Sequence, residues 1–433
     1  MKTPDPTSFF GEERWIAGVI GLGYVGLPLL LAAARSGLGG IGFDISSSRV
    51  DKLAAGESMV DDVSDEELAK AIADGVTFTS DPTELKSADA LFICVPSPLG
   101  RNRQPDLSFI ENAARTVEEV ARPGQLICLE STSYPGTTED YLLPAIERAG
   151  LALDADVYVA FSPERVSPGD ELKTRDIPKV VGGVTPLSGE VAAAAYKRIV
   201  PSVHVVTSAR AAEMTKLLEN TYRAVNIGLV NELAQLAHHL DIDIWEVIDA
   251  AATKPFGYHP FYPGPGVGGH CIPLDPQYLA WRAKEANFSP RFIDAAEQVN
   301  IHMPDYIVSR VTELLNTRGL PVQGARVLGV GIAYKPNIAD DRESASLQVL
   351  RALAKRGAQV SVLDPLVGND RIQSHAFDAI DGVADAAEFN IAIVLTDHSS
   401  VDYGSLADNS QIVFDTRGIY RRLGMHLPNV VTL

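Results

Sequence analysis

The 433-residue chain is 46% apolar and 21% charged, an ordinary globular balance in a length that suits roughly two to four domains. Its 37 Lys and Arg stand against 56 Asp and Glu, a formal net charge of −19. That excludes nucleic acid and anionic membrane as partners, because both need a basic footprint, and it requires any anionic ligand to be met by local Lys, Arg or helix N-termini.

In chain order, Met1 to Arg14 is polar and lacks the cationic segment and small-residue cleavage site of a signal peptide. The apolar run Ile16 to Ala34 approaches membrane-span length, but Gly18, Gly21, Gly23, Gly26 and Pro28 interrupt it, so a transmembrane reading is rejected. Strands are expected at Trp15–Ile20, Gly39–Asp44, Ala90–Val95, Gln125–Glu130, Val157–Phe161 and Lys179–Gly182. Helical patterns such as Tyr24–Ser36 and Asp106–Ala121 lie between them. Such alternation predicts a parallel, doubly wound sheet. Arg210 to Leu240 and Pro290 to Thr317 are long helical patterns, with no convincing strand between Ala209 and Val322. Alternation then resumes, with strands at Arg326–Gly331, Gln359–Asp364, Ile391–Thr396 and Ile412–Asp415 and a helix over Ser344–Arg356. The expected fold class is α/β, with two Rossmann-like doubly wound domains joined by an all-helical one. The divisions are 1–209, 210–317 and 318–433. Whether the two α/β halves are a distant duplication stays open at this level.

The three cysteines have no close spacing that pairs them. Cys94 and Cys128 sit in strand-like apolar runs and read as inert core thiols. Cysteine usage of this kind fits a reducing compartment, so a cytoplasmic protein is expected, with no metal site. Cys271 is different. It ends the run Gly264-Pro265-Gly266-Val267-Gly268-Gly269-His270-Cys271, with Asp275 four residues on. Glycines let a backbone approach a ligand closely, and a thiol presented from such a loop suits a nucleophile. Asp275 also reads as a helix N-cap followed by Pro276.

Gly21-Leu22-Gly23-Tyr24-Val25-Gly26 follows a strand and opens a helix, the G-x-G-x-x-G arrangement of a dinucleotide site. Gly21 makes the turn, Gly23 admits the pyrophosphate, and Gly26 lets helix and strand pack. Asp44 lies about twenty residues on, where a ribose-binding acid is expected, and its charge would repel a 2′-phosphate. NAD is therefore favoured over NADP. Arg49 is placed against the adenine. In the long helix, Lys216 and Asn220 share one face, three and seven residues after Glu213.

Together these motifs resemble the UDP-glucose/GDP-mannose dehydrogenase family. The resemblance runs from about Trp15 to about Tyr420. It rests on Gly21–Gly26, Glu130-Ser131-Thr132, Ser162-Pro163-Glu164, Lys216 with Asn220, Gly268-Gly269-His270-Cys271, and Tyr334-Lys335-Pro336 through Asp341-Arg342-Glu343-Ser344. It implies NAD-dependent oxidation of C6 of a nucleotide sugar from alcohol to acid, and a homodimer through the central helices. By the same resemblance, Cys271 is the nucleophile that passes through a thiohemiacetal and a thioester. Lys216 and Asn220 stabilise charge on the C6 oxygen. Asp275 stands near the cysteine and lysine, Glu164 serves thioester hydrolysis, and Thr132 positions water. Tyr24, Val25, Ser97, Thr132 and Arg342 join the glycines, Asp44 and Arg49 at the cofactor. Glu164, Arg165, Lys216, Asn220, Tyr262, Gly268, Lys335 and Arg417 are assigned to the UDP-sugar, with Lys335 on its phosphate.

The chain departs from the UDP-glucose pattern. Pro168 stands where a second glutamate is usual, and His270 precedes the cysteine where serine is usual. Leu129–Thr138 and Tyr262–Gly266 look like the branch that acts on UDP-N-acetylhexosamines. UDP-N-acetylglucosamine is the expected sugar, with Arg165 a candidate partner for the acetamido group. UDP-N-acetylmannosamine, UDP-N-acetylgalactosamine and UDP-glucose are the alternatives. Two other readings compete: a one-step β-hydroxyacid-type dehydrogenase, which needs neither Cys271 nor a second α/β domain, and a nucleotide-sugar-binding protein without activity.

Overall fold

The computed structural model describes residues 5–60, 62–100, 104–165, 176–269 and 272–433. The chain forms two compact units, Met1–Glu219 with Gln277–Phe288, and Asn220–Pro276 with Ser289–Leu433. The boundary falls inside the long helix Ala209–His239.

The first unit is built on β1 (Ile16–Ile20), β2 (Gly39–Phe43), β3 (Val76–Thr79), β4 (Ala90–Ile93), β5 (Leu126–Leu129), β6 (Tyr158–Phe161), β7 (Lys179–Gly183) and β8 (Val203–Val206). They lie in the order β3-β2-β1-β4-β5-β6-β7-β8. β4, β5 and β6 are buried along their whole length, as expected of parallel strands covered on both faces. Trp15, Phe92 and Tyr196 fill the core on one side, and Leu91, Ile127 and Phe161 fill it on the other. The sheet is not parallel throughout. β7 pairs antiparallel with β6, Phe161 opposite Gly182.

The polar N-terminus is not featureless. Pro6–Glu12 is a helix with Asp5 as its N-cap and proline in its first turn. Its Phe10 is buried edge-on against Trp15, with ring centroids 5.6 Å apart.

The second unit contains β9 (Arg326–Val330), β10 (Gln359–Leu363), β11 (Asp378–Ala379), β12 (Ile391–Val394), β13 (Val413–Asp415) and β14 (Val430–Thr432). All pair in parallel, in the order β11-β10-β9-β12-β13-β14. This is the order β3-β2-β1-β4-β5-β6 over again, the Rossmann arrangement. The first turns match bond for bond. Gly21 N–H donates to Phe43 O, and Gly331 N–H to Leu363 O, each at 2.8 Å. Leu22 N–H donates to Asp44 Oδ2 (3.0 Å), and Ile332 N–H to Asp364 Oδ2 (2.7 Å). Both glycines have positive φ, 95° and 80°. The two α/β halves are thus one supersecondary design used twice.

Between β8 and β9 the described residues hold no strand. Helices Ala209–His239, Ile244–Ala252, Asp275–Glu285 and Arg291–Asn316 fill that stretch. Among the described residues, no helix is long and apolar enough to cross a membrane.

Candidate active site

The glycine turn after β1 is shaped for a ligand. A Cβ on Gly26 would lie 1.9 Å from Gly21 O, so only glycine lets the helix Gly26–Arg35 start this close to the strand. A Cβ on Gly23 would meet nothing within 4 Å. The space over Gly23 is open at the N-terminus of a ten-residue helix, and this cradle fits a dinucleotide pyrophosphate. Tyr24 is exposed beside it, with Val25 at the N-cap position. Asp44 is buried. Its Oδ2 accepts from Leu22 N–H and from Arg49 Nη1 (2.9 Å), and its Oδ1 from Ser46 N–H (3.0 Å). The acid therefore buttresses the turn, and Arg49 pairs with it. Ser97 is half-buried in the loop after β4.

Past the end of β5 the chain carries Glu130, Ser131 and Thr132. Ser131 Oγ donates to Val95 O (2.8 Å), which ties this loop to the one after β4. Lys216, buried on the long helix, donates from Nζ to Thr132 Oγ1 at 2.6 Å. Glu213, one turn earlier, accepts from Gly136 N–H (2.6 Å), Thr138 N–H (2.9 Å) and Thr138 O–H (2.7 Å). Glu164 follows β6. Its Oε2 accepts from Lys179 Nζ (3.0 Å) and its Oε1 from Arg165 N–H (2.8 Å). Lys179 also donates to the buried Glu130 (2.6 Å). Arg165 makes a two-pronged pair with Glu219, at 3.2 and 2.6 Å, and donates to Pro178 O. Cys94 and Cys128 are buried, and burial pushes both thiols up, as an inert role requires.

In the second unit, Asn220 Nδ2 donates to Asp275 Oδ2 at 2.6 Å, and Asp275 is buried at the start of Asp275–Glu285. The glycine run is held tightly. A Cβ on Gly264 would lie 2.7 Å from Arg417 Nη1, and one on Gly268 2.9 Å from Glu343 O. One on Gly269 would lie 2.7 Å from the Tyr334 ring, and that residue has φ +83°. Arg417 Nε donates to Leu395 O (2.7 Å) at the end of β12. Tyr262 stacks on Trp245, with centroids 5.8 Å apart and planes 15° apart. Lys335 is half-buried. Arg342 forms a two-pronged pair with Asp340. His270, Cys271 and Pro168 lie outside the described residues.

Three residues missed in the sequence complete these arrangements. Lys179, itself bonded to Glu130, donates to Glu164. Asn231 accepts from Gly264 N–H (3.0 Å) and donates to Asn300 Oδ1 (2.9 Å), which anchors the glycine loop. A fully buried Asn mid-helix is a signal only once burial is known.

Three family models match the chain. They are the NAD-binding domain of the UDP-glucose/GDP-mannose dehydrogenase family over residues 16–200, its central domain over 210–302, and its UDP-binding domain over 328–422. The chain belongs to the UDP-glucose/GDP-mannose dehydrogenase family. It is 37% identical to a UDP-N-acetyl-D-glucosamine 6-dehydrogenase of Pseudomonas aeruginosa, over 81% of this chain and 82% of that one. It is 35% identical to an NDP-N-acetyl-D-galactosaminuronic acid dehydrogenase of Ralstonia nicotianae, over 93% and 95%. Among solved structures it is similar to a UDP-D-ManNAc dehydrogenase of Pyrococcus horikoshii, with a TM-score of 0.83, 32% identity and coverage of 93% and 96%. The protein is an NAD-dependent UDP-sugar 6-dehydrogenase.

Proposed function

We propose that the protein oxidises C6 of UDP-N-acetylglucosamine to the carboxylic acid in two two-electron steps, ahead of the mannosamine and galactosamine epimers and UDP-glucose. The reading of the sugar rests on Leu129–Thr138 and Tyr262–Gly266, which resemble the N-acetylhexosamine branch, and on Pro168 and His270, which depart from the UDP-glucose pattern. NAD supplies the hydride acceptor, one molecule per step. Gly21, Gly23, Tyr24, Val25, Gly26, Asp44, Arg49, Ser97, Thr132 and Arg342 are assigned to hold it. Lys216 and Asn220 face the C6 oxygen and stabilise its charge. Preorganised donors of this kind contribute ~3 kcal/mol each. The Cys271 thiolate adds to the C6 aldehyde to give a thiohemiacetal, and loss of a second hydride gives the thioester. Water, deprotonated by Glu164, attacks the thioester carbon, and the C–S bond breaks to release the acid and the thiolate. Thr132 and Asp275 position that water. Lys335, Arg417, Tyr262, Gly268 and Arg165 take the rest of the nucleotide sugar. The division into domains at 1–209, 210–317 and 318–433 is part of this reading, as is a cytoplasmic setting for a chain whose Cys94 and Cys128 are free and buried.

The observation that carries the thioester reading lies in the second unit. The glycine run leading to Cys271 packs directly on Arg417 and Tyr334 of the second α/β half, a half that a one-step dehydrogenase does not need. The test is NADH released per mole of sugar from NAD with each of the four UDP-sugars. The expected result is two NADH per UDP-N-acetylglucosamine, and no turnover by Cys271→Ala with its melting temperature near wild type. One NADH per sugar, or wild-type turnover by Cys271→Ala, overturns the mechanism. Preference for another sugar overturns the substrate.

A further inference from the structure

Glu164 does not stand alone. Behind it lies a chain of buried polar groups that the reaction as written above does not use. Lys179, on β7, is buried and places its ammonium between two carboxylates, 2.6 Å from Glu130 Oε2 and 3.0 Å from Glu164 Oε2. Glu130, past the end of β5, is almost fully buried, and its other oxygen accepts from Tyr196 O–H at 2.5 Å. Tyr196 lies on the helix Pro186–Ile199, and its oxygen is 3.2 Å from Cys128 Sγ on β5. Cys94 borders the same cluster. Arg165 N–H holds the remaining oxygen of Glu164. Among the described residues, these are titratable and charged groups that face the cluster from β4, β5, β6, β7 and the helix behind them.

Burying an ammonium and a carboxylate away from water is costly, and a buried ion pair is weak evidence for stability alone. Apolar residues of the same volume would serve packing as well. What such residues could not do is fix a carboxylate at a definite point and in a definite charge state. Burial opposes the charge of Lys179, yet the two carboxylates outweigh burial and hold its ammonium above the usual range. Burial pushes the Glu130 carboxyl up, and Lys179 pulls it back down.

We propose that Lys179 is a positioning residue for Glu164. It holds that carboxylate in place and ionised, and Glu130 is the buried counter-charge that sets how strongly it does so. This rests on the reading that Glu164 deprotonates the hydrolytic water. In that step the water oxygen bonds to C6 of the thioester, its proton passes to Glu164, and the C–S electron pair leaves with Cys271. No oxidant is needed. A cation at 3.0 Å keeps Glu164 ready to take the proton, and a competing carboxylate on the same cation keeps Glu164 from becoming too weak a base.

The two carboxylates pull on Lys179 in opposition, so two substitutions should move one observable in opposite directions. The observable is decay of the covalent sugar adduct on Cys271, followed by quenched mass spectrometry after a single turnover with NAD and UDP-N-acetylglucosamine, as a function of pH. Lys179→Met removes the cation, and the acid limb of decay is expected to move to higher pH by ~1 unit, so that at pH below the limb the adduct decays about tenfold more slowly. Glu130→Gln leaves Lys179 to Glu164 alone, and the acid limb is expected to move to lower pH. Glutamine is close to isosteric with glutamate, so its amide oxygen can accept from Lys179 and its NH2 can donate to the Tyr196 oxygen. If Lys179→Met does not fold, Glu130→Gln decides. Unmoved acid limbs, or limbs moved in the same direction, overturn the assignment, because lost packing slows decay without shifting its pH dependence in opposite senses. The wild-type protein separates this from the parent reading. One NADH per sugar and no adduct overturn both. Two NADH per sugar with unmoved variants overturn the role of Lys179 alone.

Discussion

Glu213 is the residue whose environment most exceeds what its neighbours in sequence suggest. The helix Thr137–Arg148 begins at Gly136, which has no side chain to cap it and holds φ 112°. Glu213 supplies the cap from another helix, accepting three donors at the Gly136–Thr138 turn. The loop that follows Thr132 is thereby tied one turn from Lys216, on the same helix as the lysine that contacts Thr132. Burial pushes the Glu213 carboxyl up to about 7, against the lowering pull of the three donors. Its ordinary value is 4.5, so between those limits the folded chain binds this proton more readily than the unfolded chain. Its contribution to stability is therefore greatest below about 4.5 and falls as pH rises through about 7, by up to ~3 kcal/mol. Glu213→Gln should abolish that part of the slope. The check is the melting temperature of both proteins on the two sides of this window. Equal slopes in wild type and variant would remove the residue from this account.

At the scale of elements, the turn between β1 and the helix Gly26–Arg35 makes the sharpest demand. Gly26→Ala puts a methyl 1.9 Å from a backbone oxygen that cannot move without dismantling the turn. The expected outcome is a loss of NADH affinity of about tenfold or more, from a shift of the helix N-terminus that costs on the order of 1–3 kcal/mol. UDP binding should be unchanged, and calorimetric titration with each ligand separately reads both. Retained NADH affinity would refute the role assigned to this turn. This element was legible in the sequence because its chemistry is local: three glycines at fixed spacing, a strand before, a helix after. The central strands and long helices were legible for the same reason, their apolar periodicity being a property of neighbouring residues. β3, β8, β11 and β14 were not. They are the edge strands of the two sheets, two to four residues long, and β8 is half-exposed, so neither length nor burial writes a pattern. The site divides along the same line. Gly21–Gly26 could be found by spacing, whereas Lys216 and Asn220 took their role from the family resemblance. The contacts of Glu130 with Lys179 and Tyr196 join residues 49 and 66 apart, and no local pattern encodes them. Arg49, Arg165 and Arg342, assigned to ligands in sequence, are each also paired with a carboxylate of the chain itself, which no local pattern announces.

For the whole molecule, the exposed apolar side chains of the central helices are the feature that demands a partner. On the helix Ala209–His239, Tyr222, Leu229, Leu233 and Leu236 are 49%, 52%, 42% and 50% exposed, and Leu240 just beyond is 58% exposed. Their spacing of seven, four, three and four keeps them on one stripe. Scattered exposed leucines are ordinary, but a continuous stripe marks an association face. The homodimer that the family resemblance implies would cover it with a second copy. Each copy carries −19, so two copies repel at long range, and the association must be driven by apolar burial of about 1.5–3 kcal/mol per fully covered side chain. Salt screens the repulsion and leaves the burial intact. The dimer should therefore tighten as ionic strength rises, the reverse of an interface held by ion pairs. Light scattering should give twice the 46.4 kDa chain mass at working concentration. Leu229→Lys with Leu233→Lys should place two cations on the stripe, cost several kcal/mol of association, and leave a folded monomer. A double variant that stays dimeric, or a wild-type dimer that loosens with added salt, would show that the copies meet through some other face.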